Sequence, residues 1–536
     1  MTDTSPVAPD PRRMLLPRAA PADVGVPVSA VEGLLDELAA RSLELHSLMV
    51  VRHGQVAAEG WWAPYAPERV HLLYSLSKSF TSSAVGFCVA EGRFRLEDRI
   101  VDLLPDHVPD GVDPAVASLT VHHLISMSTG HREDTLDRAW ALEPHDLVAG
   151  FLRLPPEEAV GSRHAYNNST TYVLAALVEH YSGMPLLDYL RPRLLDPLGI
   201  GPARWDVDEH GQALGFSGLH LPTEAIAAFG QLLLQDGRWG EEQVLPPGWV
   251  ALATRSHIDN DDDPSRPVDW RQGYGYQYWM ARHGFRGDGA YGQFCIVVPD
   301  HDLVVATTAC VEDMQQVLDV VWDRLLPALD HDERDDNDND ADADADDDGY
   351  AAQARLRDRL AGLALPVVEV GRDDPSHDDP SHDDPSHDDP SHDDPSHDVT
   401  FTVAAAGVTD VSPFAAGTTV SVAPDSAGFL VTIDLAVDAA DRADRTRVSV
   451  PCGRDRWAEG RLSGPGTDRA ARGVPSADPT PVVCRGGWTG PETFVADLVL
   501  IETPHRIRLR GNGSTLEAAW NAPPLTGARL ERHLPS

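Results

Sequence analysis

The residues with the clearest potential for chemistry are Ser75 and Lys78, three positions apart in one apolar segment. Lys78 is the only lysine of the chain, because every other residue in the Lys+Arg total of 43 is an arginine. A guanidinium is effectively never deprotonated, whereas a lysine amine can lose its proton when it is buried. A serine and a lysine one helical turn apart have the spacing that a nucleophile and its proton acceptor require. The pair indicates nucleophilic catalysis, although a surface Ser-x-x-Lys without a function has the same spacing.

Later in the chain, Tyr166 and Asn168 form a Tyr-x-Asn pattern ahead of an apolar segment. A tyrosine close to an ammonium group can be held as phenolate or share a proton, and so serve as a general base. Taken alone, Tyr166 is better explained as a half-buried packing aromatic and Asn168 as a helix cap. The presence of both groups, in this order, favours a catalytic site over those structural roles.

The elements that must position these residues follow from the apolar patterns around them. Two hairpins are predicted, joining 47–51 to 56–62 and 294–298 to 303–308. Helices are predicted over 75–90, 121–127, 170–181, 223–235 and 314–329. Strands at both ends with helices between them predict an antiparallel sheet flanked by helices, with a helical subdomain inserted.

Composition divides the 536 residues into four parts. Residues 1–20 are predicted to form a flexible N-terminal arm, 21–330 a catalytic domain, 331–398 an acidic disordered linker and 399–536 an all-β domain, either a small barrel or a sandwich. Within the linker, 373–397 consists of five copies of Asp-Asp-Pro-Ser-His. A proline and like charges in every copy favour a solvated segment over a weak metal site.

The net charge of −42 is concentrated in two short acidic segments, 330–349 and 371–398, which carry half of it. The remainder is mildly acidic and has no basic stripe, so nucleic-acid binding is not expected. We find no signal-peptide core and no stretch as long as a membrane span. The five cysteines show no metal-ligand or Cys-x-x-Cys spacing, which fits reduced thiols in a cytosol. A soluble, cytoplasmic protein with no membrane partner is expected.

With the two catalytic patterns in this order, the chain resembles the serine beta-lactamase-related family. This family includes class C beta-lactamases, D-alanyl-D-alanine carboxypeptidases, family VIII-type esterases and 6-aminohexanoate-dimer hydrolases. The segments 73–82 and 119–130, together with Leu-Asp-Pro-Leu-Gly at 195–199, add to the likeness, which covers about 20–330. The resemblance implies an α+β fold of the beta-lactamase/transpeptidase type for the N-terminal part.

The family's third motif, Lys-Thr-Gly or His-x-Gly, is best represented by Gly-Asp-Gly at 287–289, where the basic first residue is a glycine. In beta-lactamases that cation helps to hold the substrate carboxylate, so its replacement argues against beta-lactams or peptidoglycan as the natural substrate. The pattern Gly-x-x-Gly-Gln at 289–293 is more similar to the 6-aminohexanoate-dimer hydrolases. By that resemblance, backbone N–H groups of Ser75 and Ala290 stabilise the oxyanion.

These observations predict a serine hydrolase that cleaves small ester or amide substrates through an acyl-enzyme on Ser75. In this interpretation Lys78 and Tyr166 shuttle its proton. Asn168 positions the substrate or Lys78, and the backbone of Ala290 holds the oxyanion. No metal or cofactor is expected. The alternatives are a beta-lactamase or D-alanyl-D-alanine carboxypeptidase, and a non-catalytic binding protein of the same fold.

Overall fold

The computed structural model describes residues 14–335, 345–367, 398–405, 408–436, 446–463 and 479–534. The chain divides into two compact units, Met1–Ala364 and Leu365–Ser536. The predicted Asp-Asp-Pro-Ser-His repeats at 373–397 and residues 1–13 of the predicted arm lie outside the described residues. Within the described ranges, none of the helices combines the length and the apolar composition that crossing a bilayer requires.

The first unit contains both predicted hairpins and helices at all five predicted places. Its strands are β1 (Leu45–Arg52), β2 (Gln55–Trp61), β3 (His71–Leu72), β4 (Arg204–Trp205), β5 (Leu219–Leu221), β6 (Arg238–Trp239), β7 (Glu242–Gln243), β8 (Trp279–Met280), β9 (Phe285–Gly289), β10 (Gln293–Val298) and β11 (Leu303–Ala309). Its helices are α1 (Val28–Ala40), α2 (Ser77–Ala90), α3 (Ile100–Leu103), α4 (Pro114–Ala117), α5 (Val121–Ile125), α6 (Leu136–Leu142), α7 (Leu147–Leu152), α8 (Asn168–Ser182), α9 (Leu186–Leu190), α10 (Asp196–Leu198), α11 (Thr223–Leu234), α12 (Trp249–Ala253), α13 (Met314–Arg324), α14 (Leu326–Asp335) and α15 (Ala345–Ala361).

Six strands form the central antiparallel sheet, in the order β2-β1-β11-β10-β9-β8. Successive residues of β1 enter two different cores. Leu48 and Val50 pack with residues of α1 and α13, whereas Met49 and Val51 pack with residues of α2 and α11. Because helices cover both faces of the sheet, every residue of β1 is buried and four successive residues, 48–51, are apolar.

The helical subdomain consists of α3 to α10, which lie between β3 and β4 in the sequence. Helix α8 of this subdomain contacts α2. This contact brings the segment just before α8 next to the start of α2, where the Ser-x-x-Lys pair lies. The arrangement agrees with the predicted antiparallel sheet, flanking helices and inserted helical subdomain.

Two segments outside the predicted catalytic domain pack on the first unit. At the described end of the arm, Arg18 forms ion pairs with Glu59 and Glu224. Helix α15 lies inside the predicted linker, yet its Leu356 is 2% exposed and belongs to the same core as α1. The predicted arm and linker therefore each contain a part that is held by the catalytic unit.

The second unit contains nine strands among its described residues. They are β12 (Val399–Val403), β13 (Thr419–Asp425), β14 (Gly428–Leu435), β15 (Thr446–Gly453), β16 (Ala458–Leu462), β17 (Thr480–Gly490), β18 (Thr493–Val499), β19 (Arg506–Asn512) and β20 (Thr515–Trp520). Their order is β15-β14-β13-β12-β20-β19-β18-β17-β16, and a further pairing of β15 with β17 closes the ring. Alternate residues of β14 are buried, as expected of a strand with one face on a core.

Candidate active site

Ser75 lies in a 3-10 turn, Tyr74–Leu76, directly ahead of α2. Tyr74 has a φ of 48°, a left-handed conformation that is costly for a non-glycine residue and concentrates at functional sites. Ser77 holds the turn, because its Oγ donates to the Tyr74 carbonyl at 2.6 Å and accepts from the Leu219 N–H at 3.0 Å. The turn presents Ser75, which is half-buried, from a fixed backbone.

The Lys78 side chain is buried, and its amine contacts three oxygen atoms. Nζ donates to Ser75 Oγ at 2.9 Å, to Asn168 Oδ1 at 2.7 Å and to the Phe216 carbonyl at 2.9 Å. None of these partners is a carboxylate, so no hydrogen-bonded anion offsets the burial of the charge. Desolvation lowers the pKa of Lys78 to about 7, although more distant carboxylates oppose the shift. A neutral amine bonded to the serine oxygen can accept its proton.

Tyr166 lies against the same two residues. Its hydroxyl is hydrogen-bonded to Ser75, and Lys78 Nζ is 4.7 Å from the centroid of its ring. Desolvation, followed by the charge of Asp288, raises the pKa of Tyr166 well above its usual range. The predicted phenolate is therefore disfavoured. Lys78 is the group that loses its proton near neutral pH, and Tyr166 keeps its proton.

Asn168 is the first residue of α8, but Asn167 is the residue that caps this helix, accepting from the Ser169 N–H. Asn168 donates from its Nδ2 to Asp134 Oδ2 at 2.6 Å and from its backbone N–H to Asp134 Oδ1 at 3.0 Å. These two bonds orient the amide oxygen towards Lys78. The helix-cap interpretation of Asn168 is therefore wrong, and the contact with Lys78 that we expected is present.

The end of β9 lies against the turn that carries Ser75. A side chain at Gly289 would stand 2.0 Å from the Leu73 carbonyl oxygen, so only glycine permits this approach. Ala290 follows directly, and its carbonyl accepts from Gln293 Nε2 at 2.8 Å. The structure thus brings the residue predicted to stabilise the oxyanion next to the nucleophile turn and holds it with a buried amide.

The position of the missing third-motif cation is Gly287, which packs closely against two side chains of the Ser-x-x-Lys segment. A Cβ at this position would lie 2.5 Å from Leu76 Cδ1 and 2.6 Å from Ser79 Oγ. Contacts this short require the neighbouring atoms to move. The absence of a basic side chain is thus part of how β9 packs on α2.

A buried ion pair on β9 was not anticipated. Arg286 is 0% exposed, and its Nε donates to Asp288 Oδ2 at 3.1 Å. Its Nη1 donates to the Asp269 carbonyl at 2.8 Å, and its guanidinium carbon lies 4.3 Å from the Trp270 ring centroid. Burial raises the pKa of Asp288, and the charges of Arg286 and Lys78 oppose that shift. The signal in the sequence was Arg-x-Asp within a strand, since residues two apart share one face.

Aromatic rings form one wall beside the reacting groups. Trp279 stacks on Tyr166, with ring centroids 5.4 Å apart and an interplanar angle of 18°. Tyr274 contacts both rings edge-on, at 6.2 Å from Tyr166 and 4.8 Å from Trp279. This packing restricts the Tyr166 ring to the orientation in which its hydroxyl reaches Ser75.

Among the described residues, one group has the donor atoms of a metal site: His145, Glu209 and His210, with ligand atoms within 4.8 Å of one another. All three residues are exposed. His145 and Glu209 already form a hydrogen-bonded pair at 2.8 Å. We assign no role in the chemistry at Ser75 to this group.

Three residues that complete the site were missed by sequence reasoning. Gln293 was part of the glycine-rich pattern, but its role in holding Ala290 was not inferred. Phe216 acts through its backbone carbonyl, which no side-chain pattern reveals. Asp134 precedes Asn168 by 34 residues in the sequence and contacts it only through tertiary packing, so no local spacing predicts this pair.

Comparison with known proteins matches residues 31–330 to the family model for beta-lactamase. A 6-aminohexanoate-dimer hydrolase from Paenarthrobacter ureafaciens is 27% identical over 312 residues, covering 54% of this chain and 78% of that protein. A penicillin-binding protein 4 from Amycolatopsis lactamdurans is 25% identical over 281 residues, covering 43% of this chain and 70% of that protein.

A solved structure from Bacillus anthracis, named as a candidate 6-aminohexanoate-dimer hydrolase, is similar in fold. The TM-score is 0.50 at 19% identity, and the match covers 61% of this chain and 90% of that one. At this identity the likeness concerns the fold alone. Together with the family model, it confirms the beta-lactamase/transpeptidase-like fold that was expected for the N-terminal part.

Proposed function

This chain belongs to the beta-lactamase family and is a hydrolase, and we propose that it cleaves small ester or amide substrates through an acyl-enzyme on Ser75. The observation that supports this most directly is the buried amine of Lys78. It donates to Ser75 Oγ at 2.9 Å, and desolvation lowers its pKa to about 7. An amine of this kind is half deprotonated near neutral pH, where a general base is most effective.

In the first step, Ser75 Oγ attacks the carbonyl carbon of the substrate while Lys78 Nζ takes the hydroxyl proton. The new C–O bond displaces the carbonyl π electrons onto oxygen. Backbone N–H groups of Ser75 and Ala290 donate to this oxyanion, as the approach of β9 to the nucleophile turn allows. Asn168 and the Phe216 carbonyl hold the ammonium that forms.

In the second step, the tetrahedral intermediate collapses and the bond to the leaving group breaks. Tyr166 keeps its proton at neutral pH and is hydrogen-bonded to Ser75, so it can donate that proton to the leaving oxygen or nitrogen. The Lys78 ammonium then returns a proton to Tyr166. Water hydrolyses the acyl-enzyme by the same route, with Lys78 again accepting the proton.

The test is labelling with a fluorophosphonate probe, followed by turnover of a panel of p-nitrophenyl esters. We expect the probe to modify Ser75 alone and the esters to be hydrolysed with an initial burst. The Ser75→Ala variant is the matched control and should show neither. If the correctly folded wild type is neither labelled nor active on any ester, the protein is a non-catalytic member of the fold.

A beta-lactamase or D-alanyl-D-alanine carboxypeptidase is the alternative favoured by the penicillin-binding relative. Gly287 counts against it, because this residue supplies no cation at the third motif and a larger side chain there would require Leu76 and Ser79 to move. A fluorescent penicillin separates the two proposals. Rapid labelling of Ser75 by this probe, faster than acylation by simple esters, would favour the alternative.

A further inference from the structure

The ring of strands in the second unit closes through one short contact. Strands β14 and β15 pair along their whole lengths. At the seam, formed by Gly453 and Arg485 with the residue directly before each, β15 pairs with β17 through a single residue pair of the described chain, Gly453 with Arg485. Pro451 lies two positions before this pair and has no N–H to donate to a longer ladder. The backbone therefore supplies little hydrogen bonding across the seam.

Two cysteines meet at the seam on the inner side of the ring. Cys452 directly precedes Gly453 on β15, and Cys484 directly precedes Arg485 on β17. Both side chains are 0% exposed and belong to the same apolar core. The Cys484 thiol is hydrogen-bonded to Cys452. The two sulfur atoms are therefore neighbours in the folded chain, which is the condition for joining them with little movement of the backbone.

Two other buried cysteines have partners of a different kind. Cys88 Sγ donates to the Tyr189 hydroxyl at 3.3 Å, and Cys295 Sγ donates to the Ile226 carbonyl at 3.5 Å. These thiols contact oxygen atoms, whereas the two thiols at the seam contact each other. Oxidation is therefore expected to cross-link the seam cysteines specifically.

We propose that Cys452 and Cys484 are a disulfide site whose cross-link closes the seam covalently, independently of the hydrolase function. The oxidant is a low-molecular-weight disulfide such as oxidised glutathione. One protein thiolate attacks this disulfide, which forms a mixed disulfide and releases one small thiolate. The second protein thiolate attacks the protein sulfur of the mixed disulfide, so that the Cys452–Cys484 bond forms and the second small thiolate leaves. The two small thiolates take up the two protons that the protein thiols lose, and the small disulfide accepts two electrons.

Burial governs how fast this site reacts and how long the bond lasts. The contact with Cys452 and desolvation raise the pKa of the Cys484 thiol well above its usual range, and the thiolate is the reactive form. Exchange should therefore be slow in the folded chain and faster when the seam opens. The same burial protects the bond from reduction. Because it closes a loop of about 30 residues, the bond should raise the melting temperature of the second unit by about 5–10 °C.

The test incubates the full-length protein with oxidised glutathione or with dithiothreitol, each without urea and in urea well below the unfolding midpoint. We expect mass spectrometry of a proteolytic digest to find a peptide pair that joins Cys452 to Cys484 and is two hydrogens lighter than the separate peptides. This pair should be present in the oxidised sample alone and should form faster in urea. Calorimetry should show the higher melting temperature in the same sample.

The variants Cys452→Ala and Cys484→Ala should each abolish the linked peptide and the rise in melting temperature. Cys310→Ala is the control, because it removes a cysteine of the first unit and should leave both results unchanged. The comparison of oxidised with reduced wild type decides the question even if an alanine variant does not fold. The proposal is overturned if the wild type forms only glutathione adducts, links other cysteines, keeps both thiols free in urea, or melts no higher when cross-linked.

Discussion

Two buried cations, one on α2 and the other on β9, behave differently. Lys78 is 1% exposed and Arg286 is 0% exposed. Lys78 donates to a serine, an asparagine and a carbonyl, whereas Arg286 donates to the carboxylate of Asp288. The comparison shows that burial alone does not determine the role of a positive charge, which depends also on the charge of its partners and on the type of cation.

The physical reason lies in the protonation equilibrium of each group. Neutral partners do not compensate the desolvation of the Lys78 ammonium, so its pKa falls to about 7 and the proton becomes transferable. Burial also lowers the pKa of Arg286, but a guanidinium starts so high that it stays charged. Lys78 is therefore suited to proton transfer, and Arg286 with Asp288 to holding β9 in place.

The largest effect is expected from replacing Lys78 by arginine, the residue type of the other buried cation. Lys78→Arg retains the charge but removes the transferable proton, so we expect kcat on p-nitrophenyl esters to fall by about 10²–10⁴-fold. Circular dichroism and the melting temperature should establish that the variant is folded. Full activity in a folded Lys78→Arg protein would show that Lys78 is not the proton acceptor.

Asp288→Asn removes the negative charge that offsets the buried Arg286 guanidinium. The Arg286 charge would then be buried without a carboxylate partner, which typically costs about 3–5 kcal/mol. Urea denaturation, followed by tryptophan fluorescence, measures the loss in the free energy of unfolding. The double variant Arg286→Met/Asp288→Leu, which removes both charges, should recover most of it. A cost below about 1 kcal/mol for Asp288→Asn would mean that the pair is not needed for stability.

Arg286→Lys replaces the guanidinium by an amine like that of Lys78, while the carboxylate of Asp288 stays beside it. The loss of the planar contact with Trp270 and of the bond to the Asp269 carbonyl should cost about 1–3 kcal/mol in the free energy of unfolding. We expect the acid limb of the rate profile, set by Lys78, to stay in place. If the acid limb shifts along with the free energy of unfolding, the two cations are coupled more closely than their separate hydrogen-bond partners suggest.

The smallest effect concerns the pH profile itself. In the proposed mechanism the base is the deprotonated amine of Lys78, so kcat/KM should rise with pH through about 7 and fall roughly tenfold per pH unit below it. Asp134 raises the pKa of Lys78, so Asp134→Asn should move this limb to lower pH by less than about one unit. Glu241→Gln, which removes an exposed carboxylate between β6 and β7, is the control and should leave the acid limb in place. A shift of the limb to higher pH in Asp134→Asn would contradict its assignment to Lys78.

The two units also differ in how much of them could be read from sequence. Both hairpins of the catalytic unit were predicted, because short apolar runs such as 48–51 in β1 and 303–306 in β11 lie next to turn residues. In the second unit, strands were predicted over 401–404, 428–435, 493–501 and 505–509, whereas β13, β15, β16, β17 and β20 were not identified. Strand β17 contains a proline and three glycines, which disfavour a strand prediction, and β15 pairs with β17 only when the ring of strands closes.

Local features of the site follow from sequence alone. The spacing of Ser75 and Lys78 and the lack of a third-motif cation are properties of neighbouring residues, and the order of the two catalytic patterns is a property of the chain. The first two depend on contacts within one helical turn or one strand, and these contacts form whenever the element forms.

The choice of Lys78 as the proposed base depends on tertiary packing. Phe216, Asn168 and the surrounding core remove water from Lys78, and these come from segments far apart in the sequence. A pKa depends on solvent and charge in three dimensions, so the same packing that makes the amine of Lys78 a base keeps Tyr166 protonated. The pairing of Arg286 with Asp288 likewise required a strand buried on both sides.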